Sequence, residues 1–170
     1  TTSLDLTTAN TTITLNGTTG TQQITGSTTF YNLTLNNSGA TSNFGSGTST
    51  IANNLTATAG TMAGGTSTVI FTGSAGTMAG ANAKNFYNLQ FDGGAVIGNS
   101  GNGNVFVKNS YTNNGTWTQA AARNMNFDGG VTQSMSGTGT STFGNFLVAS
   151  SSTVDAGSHN FTVTGVAATS

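Results

Sequence analysis

The chain has 170 residues; 35 Thr, 25 Gly, 21 Asn and 18 Ser make up 99 of them, and only seven side chains carry charge. Three basic against four acidic groups leave a net charge of −1, with no Glu, Pro or Cys and a single His. That balance excludes nucleic-acid binding by phosphate neutralisation, speaks against an acid–base hydrolase, and offers no Cys- or His-based metal site.

An apolar fraction of 34% that recurs at fixed intervals argues against disorder. The length suits one domain, residues 1–170, with 1–11 as an N-terminal strand and 12–170 as repeated units. No run of 18 apolar residues spans a membrane. Beginning at Thr1 without Met or a signal-like segment, the sequence reads as a processed or excerpted mature segment. Without Cys, stability does not come from disulfides.

Taken in chain order, the elements share one signature: a polar residue, an apolar one, any residue, and another apolar one. Ser3-Leu4-Asp5-Leu6 has this form, only nine residues before the next example. Nine regular units follow, starting at Thr12, Asn32, Asn54, Thr68, Asn88, Asn104, Asn124, Asn145 and Asn160. Their spacings are 20, 22, 14, 20, 16, 20, 21 and 15. Apolar residues at i and i+2 point to strands, and Gly- or Asn-rich turns follow each. A second strand then carries one dominant apolar residue: Ile24, Phe44, Met62, Met78, Val96, Trp117, Met135, Val154 and Val166. The longer intervals add a third apolar group, at Phe30, Ile51, Phe86, Ala122 and Phe143.

A longer period contains these units. Phe30-Tyr31-Asn32-Leu33 returns as Phe86-Tyr87-Asn88-Leu89 and again as Phe143-Gly144-Asn145-Phe146, at steps of 56 and 57. Helix is excluded by composition and by the lack of a 3.6-residue pattern. Such regularity predicts an all-β fold: one parallel β-helix of about nine coils, mean 18–19 residues per coil, with a 56-residue super-repeat. Leu33, Leu55, Val69, Leu89, Val105, Met125 and Phe146 are its expected core.

Runs such as Phe30–Gly39 and Ser158–Gly165 resemble the degenerate repeats of secreted prokaryotic β-solenoid surface proteins, including adhesin-like stalks and extracellular fibre subunits. The resemblance implies an extracellular or cell-surface location and a structural role.

Stacking the nine units predicts columns of equivalent residues. Asn32, Asn54, Asn88, Asn104, Asn124, Asn145 and Asn160 form an expected Asn ladder at a corner. Asp92, Lys108 and Asp128 fall at one position in consecutive units, an expected exposed charge ladder. Ile70, Phe106 and Leu147 point outward on what reads as one face, a candidate for lateral packing. Asn16, Asn36 and Asn114, in turns, are candidate glycosylation acceptors.

The leading functional expectation is a non-enzymatic fibre subunit without cofactor or metal. Its partner is a second copy, joined head to tail through Leu4 and Leu6, with glycans or other cell-surface components as further candidates. The alternatives are an adhesin stalk or binding module, an ice-binding face, which the column of Ile70, Gln90, Phe106, Asn126 and Leu147 interrupts, and a carbohydrate-active β-helix built around Asp92, Lys108 and Asp128.

Overall fold

A computed structural model describes Asp5, Leu6, Thr8 and residues 10–169. Among the described residues the elements are strands and turns, every strand pairing is parallel, and the backbone winds into a three-faced β-solenoid of eight coils. Coil 1 comprises β1 (Asp5–Leu6), β2 (Thr12–Leu15) and β3 (Thr21–Gln23). Coil 2 comprises β4 (Thr28–Phe30) and the bent β5 (Asn32–Asn43), which supplies two faces. Coil 3 repeats this with β6 (Thr48–Ile51) and β7 (Leu55–Ala63).

Coil 4 has β8 (Thr68–Phe71), β9 (Gly76–Ala79) and the first half of β10 (Lys84–Phe91). The second half of β10 opens coil 5, which adds β11 (Val96–Asn99) and the first half of β12 (Val105–Asn113). Coil 6 continues from β12 through β13 (Thr116–Gln119) and β14 (Asn124–Phe127). Coil 7 is β15 (Thr132–Ser136), β16 (Thr140–Phe143) and β17 (Asn145–Val148). Coil 8 is β18 (Thr153–Asp155), β19 (Phe161–Val163) and β20 (Ala167–Thr169). The first, second and third strand of each coil stack as faces I, II and III. At about 4.8 Å per coil the stack stands roughly 38 Å tall.

Eight coils replace the expected nine, and the register explains why. Paired residues such as Ile51 and Phe71, Met78 and Asn99, or Tyr111 and Met135 lie 20, 21 and 24 positions apart. A coil is therefore longer than the mean signature spacing. The signatures do not share one face. Those at Thr12, Asn32 and Asn54 lie on face II, those at Thr68 and Asn88 on face I, and those at Asn104, Asn124 and Asn145 on face III. Asn160 returns to face II. Intervals of 20–22 thus link coils on one face, while those of 14–16 are two-thirds of a turn.

The 56-residue period has the same origin. At about 21 residues per coil it equals two and two-thirds coils, so each copy of Phe-x-Asn-apolar-x-apolar falls one corner short of three full coils. Phe30 ends face I, Phe86 ends face III and Phe143 ends face II, each followed by a tight corner into the next strand.

Alternation along each strand fills the interior. Leu33, Leu55, Val69, Leu89, Val105 and Met125 are buried. Phe146 is only half-buried, because coil 8 covers it with the small Ala167. Val96 and Val166 are exposed rather than inward; at face II the inward place belongs to Ile97. From coil 4 upward the core becomes an aromatic file. Phe71 meets Phe91 at 5.5 Å, Phe91 stacks on Trp117 at 5.0 Å, and Phe143 and Phe146 lead to Phe161, stacked on Phe146 at 5.1 Å. Full burial of each such ring contributes about 2–3 kcal/mol.

Glycine is required where coils nearly touch at corners. Gly80 (φ 88°) and Gly137 (φ 103°) sit in the left-handed region, and a Cβ on either would run into the carbonyl oxygen of Ala57 or Asn113 below.

Candidate functional site

The Asn signature residues bond from coil to coil, as three short ladders rather than one column. On face II, Asn32 donates to Thr12 Oγ1 at 3.3 Å and accepts from Asn54 Nδ2 at 3.0 Å, and Asn54 Oδ1 accepts from Thr77 N and Oγ1 at 2.9 Å. On face I, Asn88 donates to Thr68 Oγ1 and accepts from Ser110 Oγ at 2.7 Å. On face III, Asn104 accepts from Asn124 N, Asn124 from Asn145 Nδ2, and Asn145 from Val166 N. Asn160 is exposed, in the last coil. These amides satisfy corner backbone groups that would otherwise be left without partners.

The charge ladder is corrected. Lys108 Nζ donates to Asp128 Oδ2 at 3.2 Å, across one coil step. Asp92 is elsewhere: Phe91 pairs with Asn113, so Asp92 lies at the corner between faces I and II, bonded to Gln90 Nε2 at 2.7 Å. Val107 pairs with Phe86, which sets Lys108 at the corner between faces III and I. The signatures of Asn88 and Asn104 lie on different faces, so their following residues do not share a column. With Lys108 and Asp128 45% and 30% exposed, the remaining pair is worth well under 1 kcal/mol.

The outward apolar residues divide similarly. Ile70 belongs to face I, paired with Thr50 and Gln90, whereas Phe106 and Leu147 stand on face III with Asn126 between them. They do not form one lateral patch. Face II carries none of them: its outward positions in coils 6–8 are Thr116 and Thr118, Thr140 and Thr142, then Asn160 and Thr162. Asn16, Asn36 and Asn114 are exposed in turns or at a strand surface.

Leu6 lies in β1, which pairs with β4, and its side chain packs against its own core. Leu6 is thus part of coil 1, stacked on Phe30 of coil 2. Leu4 falls outside the described residues.

Two internal polar groups were not anticipated. In coil 4, Lys84 is fully buried; its Nζ donates to Gly80 O at 2.8 Å. Desolvation lowers its amine from 10.5 to about 8. The unfolded chain holds this proton to about pH 10.5 while the folded chain releases it near 8. Between these values the unfolded state binds more protons, so stability rises with pH. Tyr111 acts in the opposite sense. Burial raises its phenol far above 10, outweighing the opposite effect of side-chain hydrogen bonding with Ser141 and Asn113. Unfolded chains therefore ionise first, and stability falls above about pH 10. The melting temperature is expected to rise from pH 8 to about 10 and decline beyond. Lys84→Met should remove the rise, since Gly80 O keeps its bond from Gly103 N. A flat profile for the unaltered chain over pH 8–10 would contradict this.

The other group spans coils 6–8. Ser141 Oγ lies 2.9 Å from His159 Nε2, 2.7 Å from Tyr111 Oη and 2.8 Å from Asn113 Nδ2. His159 Nδ1 is 3.1 Å from Gly137 O. A carbonyl only accepts, so Nδ1 carries the proton and Nε2 accepts from Ser141; the hydroxyl's lone pairs then accept from Tyr111 and Asn113. A shallow surface groove of about 240 Å³ runs nearby, lined by Thr138, Thr140, Ser141, Asn160, Phe161 and Thr162. The Ser–His contact has the distance of a nucleophile–base pair. Yet Ser141 is fully buried and its hydroxyl wholly committed, so the arrangement fastens the last coil. The inward parity of Ser141, between Thr140 and Thr142, was the available sequence signal.

Comparison with models of protein families, with curated proteins and with solved structures gives no match to this chain.

Proposed function

We propose that the chain is a non-enzymatic structural rod, a building block of an extracellular filament or surface fibre whose units meet end to end. The observation carrying this reading is the continuous apolar core, which turns successive coils into one stack whose stability accumulates coil by coil. The polar groups capable of chemistry are bonded inward, as at Ser141 and His159, or spread over separate corners, as Asp92 and Lys108 are. Resemblance to secreted prokaryotic surface repeats adds the extracellular setting.

A second reading, the stalk or binding module of a surface adhesin, rests on face II. There Thr116, Thr118, Thr140 and Thr142 present a regular rank of hydroxyls to glycans or other surface components. Electron microscopy of the purified chain separates the two. Filaments one rod wide are expected; single rods of roughly 38 Å (eight layers at about 4.8 Å) would favour the stalk.

A further inference from the structure

We propose that Asn102, Asn114 and Asn16 are self-modification sites held latent by the contacts between coils, each converting to aspartate or isoaspartate only when its own coil opens. The proposal is independent of the filament reading.

The sequence holds three Asn-Gly pairs: Asn16-Gly17, Asn102-Gly103 and Asn114-Gly115. Such a pair is prone to cyclise, because glycine has no Cβ to hinder its backbone nitrogen. That nitrogen gives up its proton and attacks the Asn side-chain Cγ. The new C–N bond closes a succinimide ring, the Cγ–Nδ2 bond breaks, and ammonia leaves with the proton. Water then opens the ring. Breaking the bond at Cγ leaves aspartate; breaking the bond at the main-chain carbonyl leaves isoaspartate, whose backbone runs through the side chain. The stack does not let glycine be exchanged at the two interior sites. A Cβ on Gly103 would run into Asn82 O, and one on Gly115 into Ala95 O, each one coil below.

All three attacking nitrogens are engaged as donors. Gly103 N donates to Gly80 O at 3.1 Å, from coil 5 to coil 4. Gly115 N donates to Asn113 Oδ1 at 2.8 Å. Asn113 is itself fully buried, its Nδ2 fixed to Thr140 O at 2.9 Å and Ser141 Oγ at 2.8 Å in coil 7. Gly17 N donates to Asn37 Oδ1 at 2.7 Å, and Asn37, buried in coil 2, donates to Ser42 Oγ. Each of these bonds must break before the nitrogen can lose its proton.

Two of the three electrophiles are held as well. Arg123 Nη2 donates to Asn102 Oδ1 at 2.9 Å, while Nη1 donates to the main-chain O of the same residue at 3.0 Å. With both carbonyls tied to one planar guanidinium, Asn102 is kept from swinging its Cγ onto Gly103 N. Asn114 Oδ1 accepts from Thr138 N of coil 7 at 3.3 Å. Ring closure therefore requires coil 5 to part from coil 4 at Asn102, and Asn113 to be released by coil 7 at Asn114. Each event also adds a negative charge to a chain with four acidic groups and a net charge of −1.

The chain is aged at mildly alkaline pH, folded in one arm and in concentrated guanidinium chloride in the other. Conversion is mapped site by site by digestion and mass spectrometry. In guanidinium the three pairs are expected to convert together. In the folded chain each is expected to be slower by about 100-fold or more, because an interior coil opens only rarely. Folded protein converting Asn102 or Asn114 within a few-fold of the unfolded rate would overturn the proposal. Arg123→Ala removes the guanidinium but leaves the bonds from Arg123 N to Ala120 O and from Asn145 N to Arg123 O. It is expected to raise conversion at Asn102 several-fold and to leave Asn114 and Asn16 unchanged. An unchanged or slower rate at Asn102 would overturn the restraint assigned to Arg123. An equal rise at all three sites would overturn site-by-site control in favour of a general loosening of the rod.

Discussion

Leu89→Asp is expected to abolish cooperative folding of the rod. Leu89 lies at the centre of face I, 1% exposed, between Val69 below and Tyr111 above. A carboxylate there enters an apolar column, and burying it without an ion-pair partner costs several kcal/mol. Loss of the leucine adds about 2–5 kcal/mol of lost packing. Together these reach the 5–15 kcal/mol that typically holds a domain folded. In a stack each coil depends on its neighbours, so failure at coil 5 separates coils 1–4 from coils 6–8, with a new uncovered layer on each side. Circular dichroism should show loss of the sharp thermal transition, and limited proteolysis should cut first around coil 5. Leu89→Met, which conserves volume, is expected to cost less than about 1.5 kcal/mol. A cooperative Leu89→Asp variant with near-original melting temperature would mean that this column is not the core.

Strand identity and inward parity were legible because a strand's side-chain period of two is written directly in Asn88-Leu89-Gln90-Phe91 and its relatives. Parallel stacking was legible from their recurrence. Face assignment was not. A motif returning after two-thirds of a turn looks locally identical to one returning after a full turn, because both begin a strand after a corner. Treating Asn88 and Asn104 as stacked neighbours shortened the coil, moved Asp92 next to Lys108 and assembled an apolar patch from two faces. The structure sets Asn88 beside Ser110 instead. Tyr111 illustrates the cost of that slip: paired with Leu89 and Met135, it occupies a core column that the nine-unit alignment left without a place for it. Charge is an outward signal in sequence, and only the parity of Lys84 with Phe86 marks Lys84 as inward-facing. The His159 contact joins residues 18 positions apart in sequence, less than one coil, so whole-coil stacking could not suggest it.

Ser141→Ala is expected to destabilise the chain by on the order of 3 kcal/mol, with the loss concentrated in coil 8. The substitution leaves Tyr111 Oη and His159 Nε2, both buried, without the partner seen at 2.7 and 2.9 Å, and each such orphan costs about 1–3 kcal/mol. Asn113 suffers less, since its Nδ2 keeps Thr140 O at 2.9 Å and its Oδ1 still accepts from Gly115 N. Location determines the consequence. Ser141 lies in coil 7, His159 leads into β19 of coil 8, and Gly137, which takes the other imidazole nitrogen, forms the corner below. The imidazole is thus held at both nitrogens by the preceding coil. Besides this clamp, coil 8 is held by a half-buried layer, by strands of three residues and by bonds such as Val166 N to Asn145 Oδ1 and Thr164 Oγ1 to Phe143 O. Hydrogen exchange should therefore quicken in β19 and β20 before the rest of the rod responds, as expected for an end unit of a linear stack. A double-mutant cycle with His159→Phe isolates the contact. Phenylalanine retains the edge-on packing against Tyr111, now at 5.8 Å and 63°, but cannot accept from Ser141. Coupling of about 0.5–3 kcal/mol is the expected range for groups sharing one network. Additive losses, with unchanged exchange in β19 and β20, would show that the hydroxyl and the imidazole stabilise the rod independently and that coil 8 is held by packing alone.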